Sequence, residues 1–233
     1  MRQLIWKEWH EQSWKLAFGC IVLCAFAAIG LRTRIIPDEE MVMWVCFPAI
    51  GLLPLLAATG LVPAERSDGT LESLAALPVT LRQILTVKTL TGLTLCAVPL
   101  LAAMLISLAI AGGREMEAFP MIAIYGRSTL TALALFVWFL ALTVRLPTEA
   151  RAAMVGIGVL FCWLMLSAGI AEGDMPLLST ISPFSFVFNA QYTGIPTRQV
   201  PPLAINVLIE TAIALALWSW AGRAIGKDVN AVG

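Results

Sequence analysis

The chain has 233 residues, of which 59% are hydrophobic and only 13% are charged, and its formal net charge is zero. Roughly a quarter of the residues in soluble domains are charged, so this composition excludes an ordinary soluble domain. The balanced charge also provides no basic field that would attract a nucleic acid. We therefore predict a membrane protein with no nucleic-acid partner.

Six long apolar segments follow one another along the chain. A spanning helix needs about 20 mostly apolar residues, and its backbone groups must be hydrogen-bonded within the segment. Runs this long without alternation favour helices over strands, so we predict an all-α membrane protein forming one domain over residues 1–233. The six predicted spans cover residues 16–31, 41–61, 89–111, 121–144, 152–171 and 203–220.

The first fifteen residues mix Trp, Leu and Ile with Lys, Glu and Gln. On a helical wheel, Met1, Ile5 and Trp9 share one side, which is typical of a helix lying at the membrane surface. We predict an interfacial helix over residues 1–15, with a frayed tail as the alternative. A cleaved signal peptide is a further alternative, with Ala25-Phe26-Ala27 as a weak cleavage site. The acids and tryptophans that precede the apolar core argue against a signal peptide.

The Lys and Arg residues predict the orientation. The inner segments contain ten of them, Arg2, Lys7, Lys15, Arg66, Arg82, Lys88, Arg145, Arg151, Arg223 and Lys227, and the outer loops contain four, Arg32, Arg34, Arg114 and Arg198. Short cytoplasmic loops carry an excess of positive residues. We therefore predict a multi-pass protein of the inner (plasma) membrane with both termini in the cytoplasm.

A polar segment over residues 64–80 separates the second and third spans. Ser67 or Asp68 can cap a short helix, and Pro78 ends it. Its apolar residues recur every three positions on one side and are Leu71, Leu74 and Leu77. We predict a short amphipathic helix over residues 67–77, on the cytoplasmic side, with the character of a docking element.

Local signals also shape the spans that flank this segment. Thr80 and Gln83 form a capping box, which predicts the start of the next helix. Pro48 and Pro54 in the second span and Pro99 in the third predict kinks or local unwinding.

The outer segment before the last span is too apolar for a free loop and too short to cross the membrane. Such a stretch favours a re-entrant or interfacial helix pair. We predict this pair over residues 177–195, with Pro183 starting one short helix and Gly194 and Pro196 closing the piece.

Two charged residues lie inside predicted spans. Arg127 and Glu210 are each about two turns from the outer end of their span, and such charges are costly at mid-bilayer. Equal depth and opposite charge predict an interhelical ion pair. The alternative is that each side chain reaches the outer interface independently.

The chain lacks the residue patterns of an active site. Its single histidine, His10, makes a Ser-His or Cys-His centre or a histidine zinc site improbable, and no phosphate-binding loop is present. We predict no catalytic, cofactor-binding or metal-binding residues, and any ATP is expected on a different polypeptide. The five cysteines all lie in predicted spans and are expected to be buried apolar residues: Cys20, Cys24, Cys46, Cys96 and Cys162.

These features together resemble the membrane subunits of ABC-2 type exporters. The motif that carries the resemblance consists of Glu65, Gly69, Thr70, Leu71 and Glu72, then Leu74, Leu77, Pro78, Val79, Thr80, Arg82 and Lys88. Residues 181–194 are similar to the family's apolar outer segment, and the amphipathic start with Lys7 and Glu8 is similar to its elbow helix. The resemblance covers essentially the whole chain.

The resemblance implies a half-size permease of an ATP-driven exporter. Two copies, identical or different, would enclose a path in the lipid membrane, and two cytoplasmic ATPase subunits would hold ATP and Mg²⁺. In this family the helix after the second span docks in a groove on the ATPase. The implied coupling residues are three leucine anchors, a flexible glycine and flanking polar residues: Glu65, Arg66, Gly69, Thr70, Leu71, Glu72, Leu74 and Leu77.

Three other functions stay open at this point. A heme- or cytochrome-maturation exporter subunit shares the size and span number. A secondary carrier typically shows repeated halves, which this sequence lacks, and an intramembrane enzyme needs more polar pairs than Arg127 and Glu210. The few polar residues in the spans favour a hydrophobic, amphipathic or lipid-linked cargo.

Overall fold

The computed structural model describes residues 2–33, 37–67, 80–112, 118–172, 181–186 and 203–232. Every regular element in these ranges is helical, which confirms the predicted all-α class for this part of the chain. The α-helices are α1 (Arg2–Thr33), α2 (Asp38–Leu61), α3 (Pro63–Ser67), α4 (Leu81–Ala111), α5 (Ala118–Thr143), α6 (Glu149–Glu172) and α7 (Leu203–Val232), and a 3-10 helix covers Pro183–Phe186.

Six of these helices are long and apolar enough to cross a membrane, as the sequence predicts. The candidate spans are Leu4–Thr33, Glu40–Glu65, Arg82–Ala111, Ala118–Thr143, Glu149–Leu166 and Ala204–Arg223. The number and order of the predicted spans are therefore confirmed.

Helix α1 differs from the predicted arrangement. It is one continuous helix of 32 residues, about 48 Å long at 1.5 Å per residue, which exceeds the roughly 30 Å of the hydrocarbon core. A separate interfacial helix over residues 1–15 is not confirmed. The physical reason is that no proline interrupts α1, and its polar residues Glu8 and Gln12 are buried against protein rather than turned to headgroups.

The predicted capping box at the start of α4 is confirmed. The Gln83 backbone N–H donates to Thr80 Oγ1 at 3.3 Å, and the Thr80 N–H donates to Gln83 Oε1 at 3.0 Å. Helices α2 and α4 retain Pro48, Pro54 and Pro99 in their interiors.

Two predicted elements lie largely outside the described residues. Of the predicted docking helix over 67–77, only Ser67 is described, as the last residue of α3. Of the outer segment over 177–195, the structure describes residues 181–186, where Pro183 begins the 3-10 helix. The docking helix and the re-entrant pair are therefore not confirmed.

Helix α5 lies at the centre of the bundle, where it packs against α2, α4, α6 and α7. Its fully buried residues include Leu135, Phe136, Phe139 and Leu140. Gly92 on α4 permits this packing, because a Cβ at that position would overlap the Phe136 ring. Helix α1 lies along α4 on the outside of this core.

Candidate functional site

A buried lysine joins four helical elements at one end of the bundle. Lys88 lies about two turns into α4, and its Nζ donates to Glu8 Oε1 at 2.7 Å and to the Leu61 carbonyl at 2.9 Å. The same nitrogen is 2.8 Å from Glu65 Oε2. The ammonium group thus donates two hydrogen bonds and forms a further ion pair with Glu65.

Glu65 extends this arrangement to a second lysine. Its Oε1 accepts a hydrogen bond from Lys7 Nζ at 3.0 Å, and Lys7 also lies 3.6 Å from Glu11 Oε1. We call Lys7, Glu8, Glu65 and Lys88 the ion-pair network. It contains two positive and two negative charges and is neutral as a whole, and of its four side chains only Lys7 is partly exposed, at 34%. The side chains of Glu8 and Lys88 are only 1% and 2% exposed.

The sequence builds the network through the end of helix α2. The last carbonyl groups of a helix have no partner within it, and α2 has no basic residue in its final turn. Lys88 supplies both a donor and a positive charge to the Leu61 carbonyl, which is favourable at a helix C-terminus. Gln12 Nε2 donates to the neighbouring Gly60 carbonyl at 3.4 Å.

Two small features let α1 and α3 approach this point. A Cβ at Gly60 would displace the Lys15 ammonium group, so glycine allows the polar side of α1 to lie against α2. Pro63 occupies the first position of α3, where the missing N–H is not needed. Helix α3 then turns Glu65 inward, where it is buried.

The structure places one of the predicted coupling residues in this network and leaves the others undescribed. Glu65 is bonded to lysines of this same chain. The side chain of Arg66 lies outside the described set, as do the residues Gly69, Thr70, Leu71, Glu72, Leu74 and Leu77. Their contacts with an ATPase stay predictions.

Sequence reasoning missed the network itself. It attributed Lys7, Glu8 and Lys88 to family motifs without pairing them, because Lys88 and Glu8 are 80 positions apart. The sequence does contain one signal for it. Lys88 lies eight residues into a helix that forms a span, and a lysine at such a position needs a buried acid close by.

The carboxylate oxygens of Glu8, Glu11 and Glu65 lie within 4.8 Å of one another, a spacing that could hold a cation. Lys7 and Lys88 already contact this group of carboxylates. A metal ion would have to displace both ammonium groups. The arrangement therefore has the chemistry of a structural ion-pair network rather than of a metal centre.

The second predicted site, the Arg127–Glu210 pair, has a different character. Arg127 Nη1 and Glu210 Oε1 are both buried, and neither atom has a hydrogen-bond partner among the described residues. No ion pair joins the two side chains in that part of the structure. Asn206, one turn before Glu210 on α7, is also buried, and neither of its amide atoms has a partner within the described ranges. The predicted pair is not confirmed.

Comparison with known proteins supplies the family. The family described as ABC-2 family transporter protein matches residues 10–217. No curated protein matches the chain significantly. The matched range includes Glu65, Lys88, Arg127 and Glu210 and leaves out Lys7 and Glu8. With six candidate spans and a match over most of its length, this multi-pass membrane protein belongs to the ABC-2 family of transporter proteins, whose members are the membrane components of transport systems and are not themselves catalytic.

Proposed function

We propose that this chain is the permease subunit of an ATP-driven exporter, working as a dimer and coupled to separate cytoplasmic ATPase subunits. The family match supports the permease role and disfavours a secondary carrier or an intramembrane enzyme. The observation that carries the coupling is the ion-pair network, because it fixes the residue from which the predicted docking segment starts. Glu65 opens that motif and is held by lysines from two different helices.

The network gives the docking segment a rigid base. One ammonium group contacts α1 through Glu8, α2 through the Leu61 carbonyl and α3 through Glu65, while itself belonging to α4. A displacement of the segment after α3 would therefore move these helices together. Coupling between distant sites is carried by such contiguous contacts and by rigid helices. ATP-driven closure of the ATPases would then tilt the helices as a body, switching the path between inward and outward states.

The strength of the network suits this mechanical role. Removing one partner of a buried ion pair destabilises a protein by about 3–5 kcal/mol, because the other charge is left buried and unpaired. A connection that resists separation this strongly transmits movement instead of yielding to it. Exposed ion pairs, at roughly 0–1 kcal/mol, would yield.

The excess of Lys and Arg in the predicted inner segments puts the network end, both termini and the docking segment on the cytoplasmic side. ATP and Mg²⁺ belong to the partner ATPase. The apolar spans fit a hydrophobic, amphipathic or lipid-linked cargo better than a sugar or an ion.

Co-purification tests the proposal directly. The tagged chain is expressed in its native host and extracted in mild detergent, and the bound proteins are identified by mass spectrometry. We expect an ABC ATPase with the wild type and its loss with Leu71→Asp/Leu74→Asp. The matched control is Ala150→Asp, which adds a negative charge to the exposed first turn of α6 and should retain the ATPase.

The other outcomes are equally informative. If the ATPase stays bound to Leu71→Asp/Leu74→Asp, the docking site lies elsewhere and the role of the 67–77 segment is wrong. If a folded wild-type preparation brings down no ATPase at all, the proposed permease function is contradicted.

A further inference from the structure

Asn206 and Glu210 form a polar pair on the buried side of helix α7. They are four positions apart, so they are neighbours on one side of the helix, with Cβ atoms about 5–6 Å apart. Asn206 is 0% exposed and Glu210 is 4% exposed, whereas Ile205 and Leu208 lie on the other side and are exposed. Helix α7 therefore turns two polar side chains towards protein and apolar ones away from it.

The hydrogen-bonding capacity of this pair is largely unused. Both amide atoms of Asn206 and Oε1 of Glu210 lack a hydrogen-bond partner in the described ranges. Buried polar groups in proteins are almost always hydrogen-bonded, and each exception calls for an explanation such as an unseen ion or a functional role. Two exceptions on one side of one helix point to a ligand that contacts both residues.

No charged side chain of the described elements packed against α7 neutralises Glu210. These elements are α4, α5 and the 3-10 helix. Helix α4 has its two charged residues, Arg82 and Lys88, in its first turns, and the 3-10 helix has none. Arg127 is the charged residue of α5, and it forms no ion pair with Glu210. Within the described residues, the counter-charge of Glu210 is therefore missing.

The pair lies inside the membrane part of α7. Trp218 Nε1 donates to Thr89 Oγ1 at 3.1 Å, which places this part of α7 beside Lys88 at the network end. Glu210 lies eight residues earlier, about 12 Å nearer the other end of the bundle at 1.5 Å per residue. Both members of the pair fall within the candidate span Ala204–Arg223. A carboxylate without a counter-charge is costly in such apolar surroundings, and a bound cation removes that cost.

The donors and acceptors of the pair define the ligand group. The Glu210 carboxylate accepts hydrogen bonds and carries a negative charge, and the Asn206 amide offers an oxygen acceptor and an NH2 donor. An ammonium group has three N–H donors, which is enough to bond to both Glu210 Oε1 and Asn206 Oδ1. Hydrogen bonds in which a partner is ionised are also stronger than those between neutral groups. The complementary group is therefore a primary amine in its charged form.

We propose that Asn206 and Glu210 bind the ammonium group of a cationic amphipathic cargo, whose apolar part lies among the apolar side chains of the spans. This inference rests on the proposed permease function and names the class of its cargo. In the present conformation the pair is closed off from solvent, and the proposed tilting of the helices would open it between α5 and α7.

Native mass spectrometry of the detergent-purified full chain measures the binding of three probes with the same alkyl chain: dodecylamine, dodecyltrimethylammonium and dodecanol. We expect the wild type to bind dodecylamine most tightly, because dodecyltrimethylammonium has the charge without N–H donors and dodecanol has no charge. Glu210→Gln should weaken dodecylamine binding by roughly 10- to 100-fold, the equivalent of a hydrogen bond to a charged group. Asn206→Leu should weaken it by about fivefold, the equivalent of a neutral hydrogen bond.

The matched control is Glu149→Gln, which removes one exposed negative charge from the first turn of α6. It should leave dodecylamine binding within about twofold of the wild type, because exposed charges are screened by solvent. Equal losses in Glu149→Gln and Glu210→Gln would show nonspecific attraction of a cation and overturn the proposal. Equal binding of the two cationic probes to the wild type would overturn it as well, because N–H donors would then play no part.

Three arginines lie outside the described residues, and their variants test whether one of them already neutralises Glu210. We expect Arg34→Gln, Arg114→Gln and Arg198→Gln to bind dodecylamine as the wild type does. A gain of binding in one of these variants would identify that arginine as the partner of Glu210 and overturn the proposal.

Two further measurements separate folding and the permease function from the amine site. The thermal midpoint without ligand should be the same for Glu210→Gln and the wild type. If it falls, Asn206→Leu becomes the test variant, and unchanged dodecylamine binding in it would overturn the proposal. Selective dodecylamine binding by a chain that brings down no ATPase would keep the amine site and contradict the permease function. A chain that brings down the ATPase without selecting dodecylamine would keep the permease function and overturn the amine site.

Discussion

Two groups of buried polar residues lie in this bundle, and they are satisfied to different degrees. In the ion-pair network, Lys88 donates hydrogen bonds to Glu8 Oε1 at 2.7 Å and to the Leu61 carbonyl, and it forms an ion pair with Glu65. In the outer half of the predicted spans, Arg127, Asn206 and Glu210 each have a buried polar atom with no partner in the described residues. Their acidic members are similarly withdrawn from solvent, since Glu8 is 1% exposed and Glu210 is 4% exposed.

The difference in bonding partners indicates a structural role for the ion-pair network and gives no sign of one for Arg127, Asn206 and Glu210. A buried charge that is paired in good geometry resists removal of either partner, whereas one left unpaired costs stability wherever it lies. Evolution tolerates such a cost mainly at functional sites. The network therefore holds helices together. Removal of the charges of Arg127 on α5 and Glu210 on α7 should leave the fold intact. Stability measurements on matched variants test this contrast.

The largest effect is expected from Lys88→Met. The substitution leaves the buried Glu8 without its cation and takes from Glu65 one of its two lysines, so we expect the free energy of unfolding to fall by about 3–5 kcal/mol. Denaturation of the purified chain in mixed micelles, followed by circular dichroism, measures the change. A decrease of less than 1 kcal/mol in the free energy of unfolding would contradict the structural role of the network.

A double variant controls for simple loss of packing. In Glu8→Leu/Lys88→Leu both partners become apolar, and replacing a buried pair in this way is often neutral or stabilising. We therefore expect the double variant to recover at least half of the stability lost in Lys88→Met. Glu65 retains Lys7 as a partner in this variant.

Glu65→Gln should have a smaller effect. The amide keeps the shape of the side chain and can still accept a hydrogen bond, but it loses its charge opposite Lys7 and Lys88. A hydrogen bond to a charged group contributes about 1.5–3 kcal/mol, so a loss in this range is expected. The matched control is Glu11→Gln, since Glu11 is exposed and lies 3.6 Å from Lys7. Its loss should stay below about 1 kcal/mol, and equal losses in both variants would contradict the distinction between buried and exposed acids.

The features that the sequence predicted correctly depend on residues close together in the chain. The capping box at Thr80 and Gln83 was predictable because it depends on residues three positions apart. The six spans were predictable because composition over about 20 residues decides whether a helix can enter lipid. These signals are local, and the structure confirms them.

The features that the sequence missed, or that are not confirmed, depend on contacts between distant parts of the chain. The polar side of residues 1–15 predicted an interfacial helix, because nothing in the sequence reveals that Glu8 and Gln12 face Lys88 and Gly60. Once those partners exist, the polar side needs no headgroups and α1 continues unbroken. The Arg127–Glu210 pair was inferred from equal depth alone, and depth does not fix the rotation of a helix about its axis.

The smallest effect is expected at Arg127 and Glu210, which no ion pair joins in the described part of the chain. Arg127→Gln and Glu210→Gln each remove a charge that has an unpartnered buried atom, so neither variant breaks an observed contact. Neither should lower the free energy of unfolding by more than about 1 kcal/mol, because no contact among the described residues is lost and removal of a buried unpaired charge acts in the stabilising direction. Since residues without shared partners act independently, the double variant should equal the sum of the singles within about 0.5 kcal/mol. Micelle denaturation of the four proteins in this cycle measures the coupling. A coupling above 1 kcal/mol would show that Arg127 and Glu210 do pair in the folded protein, and the contrast between the two groups of buried polar residues would then disappear.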